Sequence, residues 1–265
     1  VMKHRRFFTD LCLSAIILVW SASVPGEMTG NQNNPAGRDI MAQVSTIGSL
    51  MAGNYDGLYS IGELLRHGDF GLGTVHSLDG ELIVLDGKAY QVRIDGAVHD
   101  VPHDMKTPFA SLTWYDLDET IEAPAGELAS LIMFLDNHIN KDLFYAIRIA
   151  GEFDFVKTRS VTDRKPYSPL VEVVKTQAVF ERGKCRGVLI DLYCPPFAQG
   201  INVPGHHFHF LSEDKTFGGH VLDLKISKAT IGLDVTRELF LMLPEGFNAG
   251  DADKEDLERI EKGTK

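Results

Sequence analysis

A histidine-rich segment in the last third of the chain has the residue types and spacing of a metal site on a β-hairpin. The run GHHFHF spans Gly205 to Phe210, and a polar turn centred on Asp214 and Lys215 separates it from His220. Imidazole nitrogens are the commonest protein ligands of metal ions, so one hairpin that gathers several histidines could hold an ion.

The spacing predicts which of these histidines share a face. Side chains alternate along a strand, so His207 and His209 point one way and His206 points the other way. Folding the segment about its turn places His209 directly across from His220, and directly opposed residues have Cβ atoms roughly 5 Å apart. We therefore predict that His207, His209 and His220 converge on one face of the sheet.

Three imidazoles with an open fourth position are typical of a catalytic Zn²⁺ site, although imidazole also suits Fe, Ni and Cu. An H-x-H pair by itself is as typical of two solvated or hydrogen-bonded histidines. The third histidine, at a hairpin-compatible offset and preceded by Gly218 and Gly219, favours the metal site. We interpret His206 as a supporting or structural residue.

The size and charge of the chain exclude some classes of partner. Its 265 residues can bury a core, as one large domain or two small ones. The formal net charge of -11 argues against a nucleic-acid partner, because phosphate backbones are bound largely by basic residues. No stretch has the roughly 20 apolar residues that a transmembrane helix needs. We expect no membrane contact in the mature form.

The amino-terminal residues have the pattern of an export signal. Three basic residues precede the apolar run Leu11–Trp20, and small residues follow it. We predict a signal peptide over residues 1–24 and a flexible linker over residues 25–40, and hence a secreted or periplasmic protein. The alternative interpretation of the first segment is a membrane anchor.

Three Asp-Gly turns between residues 79 and 96 predict an antiparallel meander. Its strands would be Glu81–Leu85, Ala89–Ile94 and Ala97–Val101. Phe144–Lys157 is predicted as a strand or hairpin. Further strands are predicted in the second half of the chain at Val171–Phe180, Arg186–Tyr193, Lys225–Ile231 and Leu239–Leu243, in addition to the histidine hairpin.

Helices are predicted to be few. Ala125–His138 has apolar residues at helical spacing, Ser60 and Glu63 have the spacing of a capping box, and Lys254–Lys262 reads as a short terminal helix. The predicted class is α+β, with two mostly antiparallel or mixed β-sheet domains. We place them at residues 41–160, an N-terminal α+β domain, and 161–265, a β-rich domain that carries the metal site.

Several motifs together resemble the alpha-acetolactate decarboxylase family. The chain contains the family's sequence motifs in the family's order: QVSTIGSLMAGNYDG, HGDFGLGT, LDGELIVLDGKAYQV, TPFA, KTRSV, GINVPGHHFHF and GGHVLDL. The resemblance runs from about Gln43 to the C-terminus. It implies a zinc-dependent carbon–carbon lyase of acetoin and butanediol biosynthesis. Such an enzyme would convert the small molecule (S)-2-acetolactate to (R)-acetoin and CO₂ without an organic cofactor.

The resemblance also implies roles for individual residues. It assigns one Zn²⁺ per chain to three histidine ligands: His207, His209 and His220. It assigns active-site roles to a carboxylate beside the metal, an arginine and a nearby polar residue: Glu81, Arg159 and Thr74.

A second glutamate is implied from the C-terminal tail. Matching the run LP…IE places it at Glu261, but the stretch after Pro244 is shorter than usual in the family, so Glu255 and Glu258 remain alternatives.

The chemistry implied is loss of CO₂ to leave an enediolate. A zinc ion would stabilise the charge as a Lewis acid, and a glutamate, Glu81 or Glu261, would protonate the carbon. Arg159 would orient the substrate. A homodimer is a candidate assembly that the sequence does not test.

Two other functions compete with this hypothesis. A cupin-like metal-dependent oxygenase or isomerase would use the H-x-H pair with Glu213 as a further ligand. A non-catalytic secreted metal-binding domain would hold an ion on the same histidines and release no CO₂.

Overall fold

The computed structural model describes residues 39–263, and the predicted signal peptide and almost all of the predicted linker lie outside this range. Within it the chain forms fifteen strands in three sheets, with five short α-helices. The strands are β1 (Ile40–Val44), β2 (Tyr59–Ser60), β3 (Phe70–Thr74), β4 (Glu81–Leu85), β5 (Lys88–Val92), β6 (Val98–Asp100), β7 (Lys106–Thr107), β8 (Ala110–Thr113), β9 (Glu119–Ala123), β10 (Gly126–Glu127), β11 (Phe144–Ser160), β12 (Ala178–Tyr193), β13 (Phe208–Ser212), β14 (Gly218–Thr236) and β15 (Glu238–Met242). The helices are α1 (Ile47–Met51), α2 (Ile61–Leu64), α3 (Leu128–Asp136), α4 (Leu170–Val173) and α5 (Lys254–Lys262).

The first sheet has seven strands in the order β15-β1-β8-β3-β4-β5-β6. Its central ladders are antiparallel, and the edge strand β15 pairs with β1 in parallel. The predicted meander forms β4, β5 and β6, and the bounds of β4 agree with the prediction. The α+β class with few helices is confirmed.

The second sheet is built from long strands. β11, β12 and β14 have 17, 16 and 19 residues and pair along most of their length. β13 pairs with both β12 and β14, which closes these four strands into a ring. The predicted strands Arg186–Tyr193 and Lys225–Ile231 are therefore parts of longer strands. Charged residues next to the predicted segments interrupt the apolar pattern, but the strand pairing continues through them. The predicted strand Val171–Phe180 is wrong over most of its length: helical turns run to Thr176, where they bury Val173 and Val174, and β12 begins only at Ala178.

The two sheets do not divide the chain at residue 160. β11 ends there but belongs to the second sheet, whereas β15, near the C-terminus, completes the first sheet. An apolar cluster between the sheets contains Phe70 and Leu72 of the first and Ile190 and Leu211 of the second. Each such fully buried side chain contributes about 1.5–3 kcal/mol of transfer free energy, which holds the two sheets together.

The terminal helix α5 spans the predicted residues. The Asp253 carboxylate caps its N-terminus by accepting from the backbone N–H groups of Glu255 and Asp256, and Gly263 ends it with a φ of 59°. Leu257 and Ile260 are buried in a cluster shared with α1 and α4. The helix therefore holds the C-terminal residues of the described chain against the domain.

The short helix α2 begins as predicted, with both hydrogen bonds of the Ser60–Glu63 capping box. α3 covers the outer face of the second sheet, where Leu131 and Leu135 are buried. None of the helices between residues 39 and 263 combines the length and apolar character needed to cross a membrane.

Candidate active site

The predicted register of the histidine hairpin is confirmed. His209 in β13 lies directly across from His220 in β14. On their other sides, His209 pairs with Ile190 of β12, and His220 pairs with Arg159 of β11. Strand pairing thus brings two imidazoles and a guanidinium to one end of the closed ring.

His207 precedes β13 and completes the group. Its ring centroid is 5.1 Å from that of His209 and 5.0 Å from that of His220, and the latter two are 5.5 Å apart. One potential ligand atom from each ring lies within 4.8 Å of the other two, and all three residues are buried. The predicted convergence of the three imidazoles is confirmed.

The hydrogen bonds of the rings identify free lone pairs. Nδ1 of His209 donates to the Leu82 carbonyl at 2.9 Å, and Nε2 of His220 donates to the Glu261 carbonyl at 3.0 Å. A carbonyl only accepts, so these nitrogens carry the protons, and Nε2 of His209 and Nδ1 of His220 have lone pairs. The buried Nε2 of His209 has no hydrogen-bond partner in the part of the chain that the structure describes.

These nitrogens fit one divalent metal ion. Nε2 of His207 is 3.1 Å from Nδ1 of His220. Two nitrogens bound to one tetrahedral Zn²⁺ at about 2.0–2.1 Å would be roughly 3.3 Å apart. Nδ1 of His207 and Nε2 of His209 are buried without hydrogen-bond partners among residues 39–263. A bound ion or substrate would provide the missing partner of Nε2 of His209. The donor set therefore suits a metal, and imidazole nitrogens alone do not select one.

Burial keeps the three imidazoles neutral. It lowers the pKa of His207 to about 3, with a smaller contribution from the positive charge of Arg159. The pKa values of His209 and His220 also lie well below their ordinary value, chiefly because of burial. Neutral imidazole is the metal-binding form, so the folded chain presents these ligands ready to bind.

Two carboxylates flank the imidazoles from different parts of the chain. Oε2 of Glu81 is 3.6 Å from Nε2 of His209, and Oε2 of Glu261 is 3.9 Å from Nε2 of His207 and 3.8 Å from Nε2 of His220. Because these histidines are neutral, the contacts are not ion pairs.

Burial raises the pKa of both carboxyl groups to about 7, and the nearby charge of Arg159 opposes the shift in each case. The negative charge of Glu261 further raises the pKa of Glu81. The cavity thus holds two carboxyl groups that can bind and release a proton near neutral pH.

Glu81 is positioned by the β3–β4 hairpin. Its cross-strand partner is Thr74, whose hydroxyl donates to the Gly80 carbonyl at 2.8 Å. Gly80 has a φ of 110°, and a Cβ there would lie 2.3 Å from the Val92 carbonyl oxygen, so the turn requires glycine. Thr74 lines the same cavity as Glu81, and its side chain holds the turn that aims the carboxylate.

Arg159 joins the two sheets and the terminal helix. Its Nη1 donates to Oε1 of Glu81 at 3.1 Å, and its Nη2 is 3.5 Å from the Ile260 carbonyl. Its buried Nε has no partner among the described residues. The guanidinium therefore has donor capacity left for a ligand in the cavity.

The structure also distinguishes the three glutamates of the tail. Glu261 lines the cavity with the histidines, whereas Glu255 and Glu258 are exposed and Glu258 pairs with Lys262. The seven residues singled out in the sequence thus line one cavity: Thr74, Glu81, Arg159, His207, His209, His220 and Glu261.

Glu213 is not brought to this site. Its side chain is 70% exposed in the hairpin turn and pairs with Nε of Arg186 at 3.2 Å. The cupin-like ligand set is therefore not formed.

The sequence prediction missed two features of the site. One is an apolar wall around the cavity: Ile47, Leu50, Leu78, Phe109, Val161, Leu170 and Ile260. The other is Asp191, whose carboxylate contacts the His206 ring and the His207 backbone. A charged residue within the apolar run GVLIDLY was the available signal for Asp191.

The fold and the cavity define a class, a β-sheet protein with a buried three-histidine metal-binding group beside two carboxylates and an arginine. The model of the family described as "Alpha-acetolactate decarboxylase" matches residues 41–254. Among curated proteins, those of that name from Methanosarcina mazei and Methylococcus capsulatus are each 42% identical over 232 residues. The alignments cover 84% and 86% of this chain and 81% and 89% of those proteins.

A solved structure, the alpha-acetolactate decarboxylase of Bacillus subtilis strain 168, superposes with a TM-score of 0.81 at 36% identity. It covers 85% of this chain and 100% of that one. The chain belongs to the alpha-acetolactate decarboxylase family, as its motifs indicated, and it is an enzyme of the carbon–carbon lyase class. The family match ends before Glu261, so the family model gives no support for the tail glutamate, which the structure places in the cavity.

Proposed function

We propose that this protein converts (S)-2-acetolactate to (R)-acetoin and CO₂, with a divalent metal, zinc, held by His207, His209 and His220. The observation that carries the proposal is the meeting of three neutral imidazoles, two carboxyl groups and one arginine in one buried cavity. The names of the relatives supply the substrate.

The substrate dictates what the cavity must provide. In 2-acetolactate one carbon bears a tertiary alcohol, a carboxylate and the neighbouring ketone. When the bond to the carboxylate breaks, its electron pair delocalises into that ketone to give an enediolate. A proton then adds to the carbon that lost CO₂. The reaction therefore needs a cation near the oxygens and a proton donor near the carbon, but no external electron sink.

The three histidines would hold the metal through nitrogens whose lone pairs point into the cavity. When bound, the metal supplies Lewis-acid stabilisation of the negative charge that develops on the substrate oxygens. Because the ligands are neutral imidazoles, they leave the positive charge of the ion uncompensated and its remaining positions free for oxygen.

Arg159 orients the substrate. The Glu81 carboxylate holds its Nη1, which leaves the buried Nε free to donate to a substrate oxygen. A guanidinium that gripped the departing carboxylate equally in ground and transition states would not speed the chemical step. Its role is therefore positioning rather than tight binding.

Glu81 or Glu261 delivers the proton. Both carboxyl groups have a pKa of about 7, so either is partly protonated at neutral pH, which suits a general acid. Glu81 lies beside His209, and Glu261 lies beside His207 and His220. A donor fixed on one side of the substrate protonates one face, which accounts for a single enantiomer of the product.

The apolar wall excludes water and accommodates the two methyl groups of the substrate. Leu78 from the turn between β3 and β4, Phe109 from the residues just before β8, and Leu170 from α4 contribute to it. Excluding water strengthens the interactions of Arg159 and the carboxylates with the substrate.

The test is to incubate purified protein with racemic acetolactate and to measure acetoin and CO₂. We expect acetoin at no more than half of the substrate supplied, loss of activity on chelation and its return with Zn²⁺. Glu213→Gln, in the exposed hairpin turn, is the matched control for a carboxylate change outside the cavity. Absence of acetoin at every metal loading would support a non-catalytic metal-binding domain. Activity that survives complete chelation would contradict the metal-dependent mechanism.

A further inference from the structure

Asp191 lies behind the metal-binding histidines and contacts two consecutive residues of the histidine run. It is fully buried in β12. Its Oδ2 is 2.6 Å from Nδ1 of His206, and its Oδ1 accepts from the backbone N–H of His207 at 3.0 Å. A carboxylate buried without partners would be strongly unfavourable, so these two contacts account for its presence in an apolar strand.

The strand pairing leaves the backbone N–H of His207 without a strand partner. The continuous ladder between β12 and β13 ends at the pair Asp191 and Phe208. One residue further, the backbone N–H of Leu192 still donates to the His207 carbonyl, at 3.4 Å, and the two chain segments pair again at Cys194 and Gly205. In a regular antiparallel pair the N–H of His207 would donate to β12 as well. The Asp191 carboxylate takes that N–H instead.

The other two metal-binding histidines do not depend on such support. His209 lies within ladders to both β12 and β14, and His220 lies within ladders to β11 and β13. Their backbones are therefore fixed on both sides. His207 differs from them because a side chain, rather than a strand, holds its backbone N–H.

The far side of Asp191 is held in turn by His206. The His206 ring stacks on Phe208 at 5.4 Å with an interplanar angle of 5°. Its Nε2 is 3.6 Å from Oδ1 of Asp136, the last residue of α3, and Asp136 is paired with Lys141. The ring is thus confined on two sides, and its Nδ1 remains directed at the Asp191 carboxylate.

We propose that Asp191 is a positioning residue for the metal ligand His207: its carboxylate holds the one backbone group of His207, the N–H, that no strand holds, and the His206 ring fixes the carboxylate. This inference rests on the metal site of the proposed function. Ligands must be held within about 0.5 Å of their productive geometry, so a loosened His207 binds metal more weakly.

The test compares Asp191→Ala and Asp191→Asn in the full chain. Zn²⁺ affinity is measured by competition with a chromophoric chelator, and the visible absorption spectrum of the Co²⁺-loaded protein reports the number and symmetry of its ligands. We expect Asp191→Ala to bind Zn²⁺ roughly 10–100-fold more weakly, the usual effect of losing a partner of a metal ligand, and to change the Co²⁺ spectrum. Asp191→Asn should retain part of the affinity, because its amide oxygen can still accept from His207.

Asp234 provides the matched control. It is a buried aspartate on β14 that also accepts a backbone N–H, from Asp116 at 3.1 Å, and it does not line the cavity. Asp234→Ala should lower the free energy of unfolding without altering the Co²⁺ spectrum. This control separates positioning of the ligand from a general loss of stability.

Each outcome decides the proposal. Wild-type affinity and an unchanged Co²⁺ spectrum in folded Asp191→Ala would overturn it. If Asp191→Ala does not fold, the comparison passes to Asp191→Asn and His206→Gln, and wild-type values in both would overturn it equally. Failure of the wild-type protein to bind either metal would instead refute the metal site on which the proposed function depends.

Discussion

Two adjacent histidines, His206 and His207, precede β13 and face opposite sides of the sheet. Burial lowers the pKa of His207 to about 3, and no carboxylate between residues 39 and 263 makes a hydrogen bond to its ring. Burial by itself would also lower the pKa of His206, but the charge and hydrogen bond of Asp191, with Asp136, raise it above its ordinary value. Identical side chains one residue apart are therefore prepared for opposite tasks.

The difference lies in what each face of the strand meets. His207 is buried in a cavity that also holds the cation of Arg159, and both the burial and that charge disfavour a proton on its ring. The His206 ring lies beside Asp191 and Asp136, whose negative charges favour a proton on that ring. A metal ligand must be neutral, whereas a ring that orients a buried carboxylate works best as a cation. Because consecutive residues face opposite sides of the sheet, the neutral ring and the ring that favours a proton lie in different surroundings.

The largest effect is expected from removing an imidazole on the metal-binding face. His209→Ala takes away Nε2, a nitrogen without a hydrogen-bond partner among the described residues, so we expect Zn²⁺ affinity to fall more than about 100-fold, beyond the effect of losing a supporting residue. Acetoin formation should be lost with it. Competition titration with a chelator measures the affinity. His99→Ala, exposed on β6, should bind Zn²⁺ as the wild type does. Tight binding by His209→Ala would remove this residue from the ligand set.

The carboxyl groups on the same face should affect the rate more than the metal. We expect Glu81→Gln or Glu261→Gln, whichever residue is the proton donor, to lower kcat by about 10²–10⁴-fold, because the amide cannot deliver a proton. Steady-state kinetics at saturating Zn²⁺ measure kcat. Glu258→Gln, on the exposed side of α5, is the control. Unchanged kcat in both cavity variants would exclude a glutamate as the acid.

The pH dependence of stability should distinguish His206 from His207 in the metal-free protein. The pKa of His207 is about 3 when folded and about 6.5 when unfolded, so only the unfolded chain gains this proton between those values. Acidification from pH 6.5 towards 3 therefore removes stability, by at most about 1.4 kcal/mol per pH unit. His206 has a raised pKa, so its contribution is complete below about pH 6.5 and is lost as the pH rises through its folded value.

We expect His207→Gln to reduce the slope on the acid side of the stability profile, to which His209 and His220 also contribute, and His206→Gln to reduce the slope above about pH 6.5. Chemical denaturation of each metal-free variant across pH gives the free energy of unfolding. If both variants changed the same pH range, the contrast between the two faces would be wrong.

The smallest effect is expected from Phe208, whose ring stacks on His206 and faces away from the cavity. Phe208→Leu should lower the free energy of unfolding by about 1 kcal/mol, from the lost aromatic contact and a modest change in volume. Zn²⁺ affinity should remain within a few-fold of wild type. Thermal unfolding measures the stability, and chelator competition measures the affinity. A 100-fold loss of Zn²⁺ affinity would show that the face away from the cavity also positions the metal ligands.

Local patterns in the sequence were sufficient for several elements. The alternation of side chains and the polar turn predicted that His209 faces His220, because both depend on residues close in sequence. The Asp-Gly turns predicted the meander, the Ser60–Glu63 capping box predicted where α2 begins, and α5 has its predicted bounds. The long strands β12 and β14 were predicted only in part, since the segments that were missed are held by pairing with neighbouring strands rather than by their own sequence pattern.

The sequence by itself determined the family, through motifs kept in order, and the face on which three imidazoles stand. Only the tertiary structure decided that Arg159, Glu81 and Glu261, from distant parts of the chain, share that cavity. It also decided that Asp191 lies behind His207. The physical reason is that burial and the distance between charges set a pKa, and both depend on which strands pair across the fold rather than on neighbours in sequence.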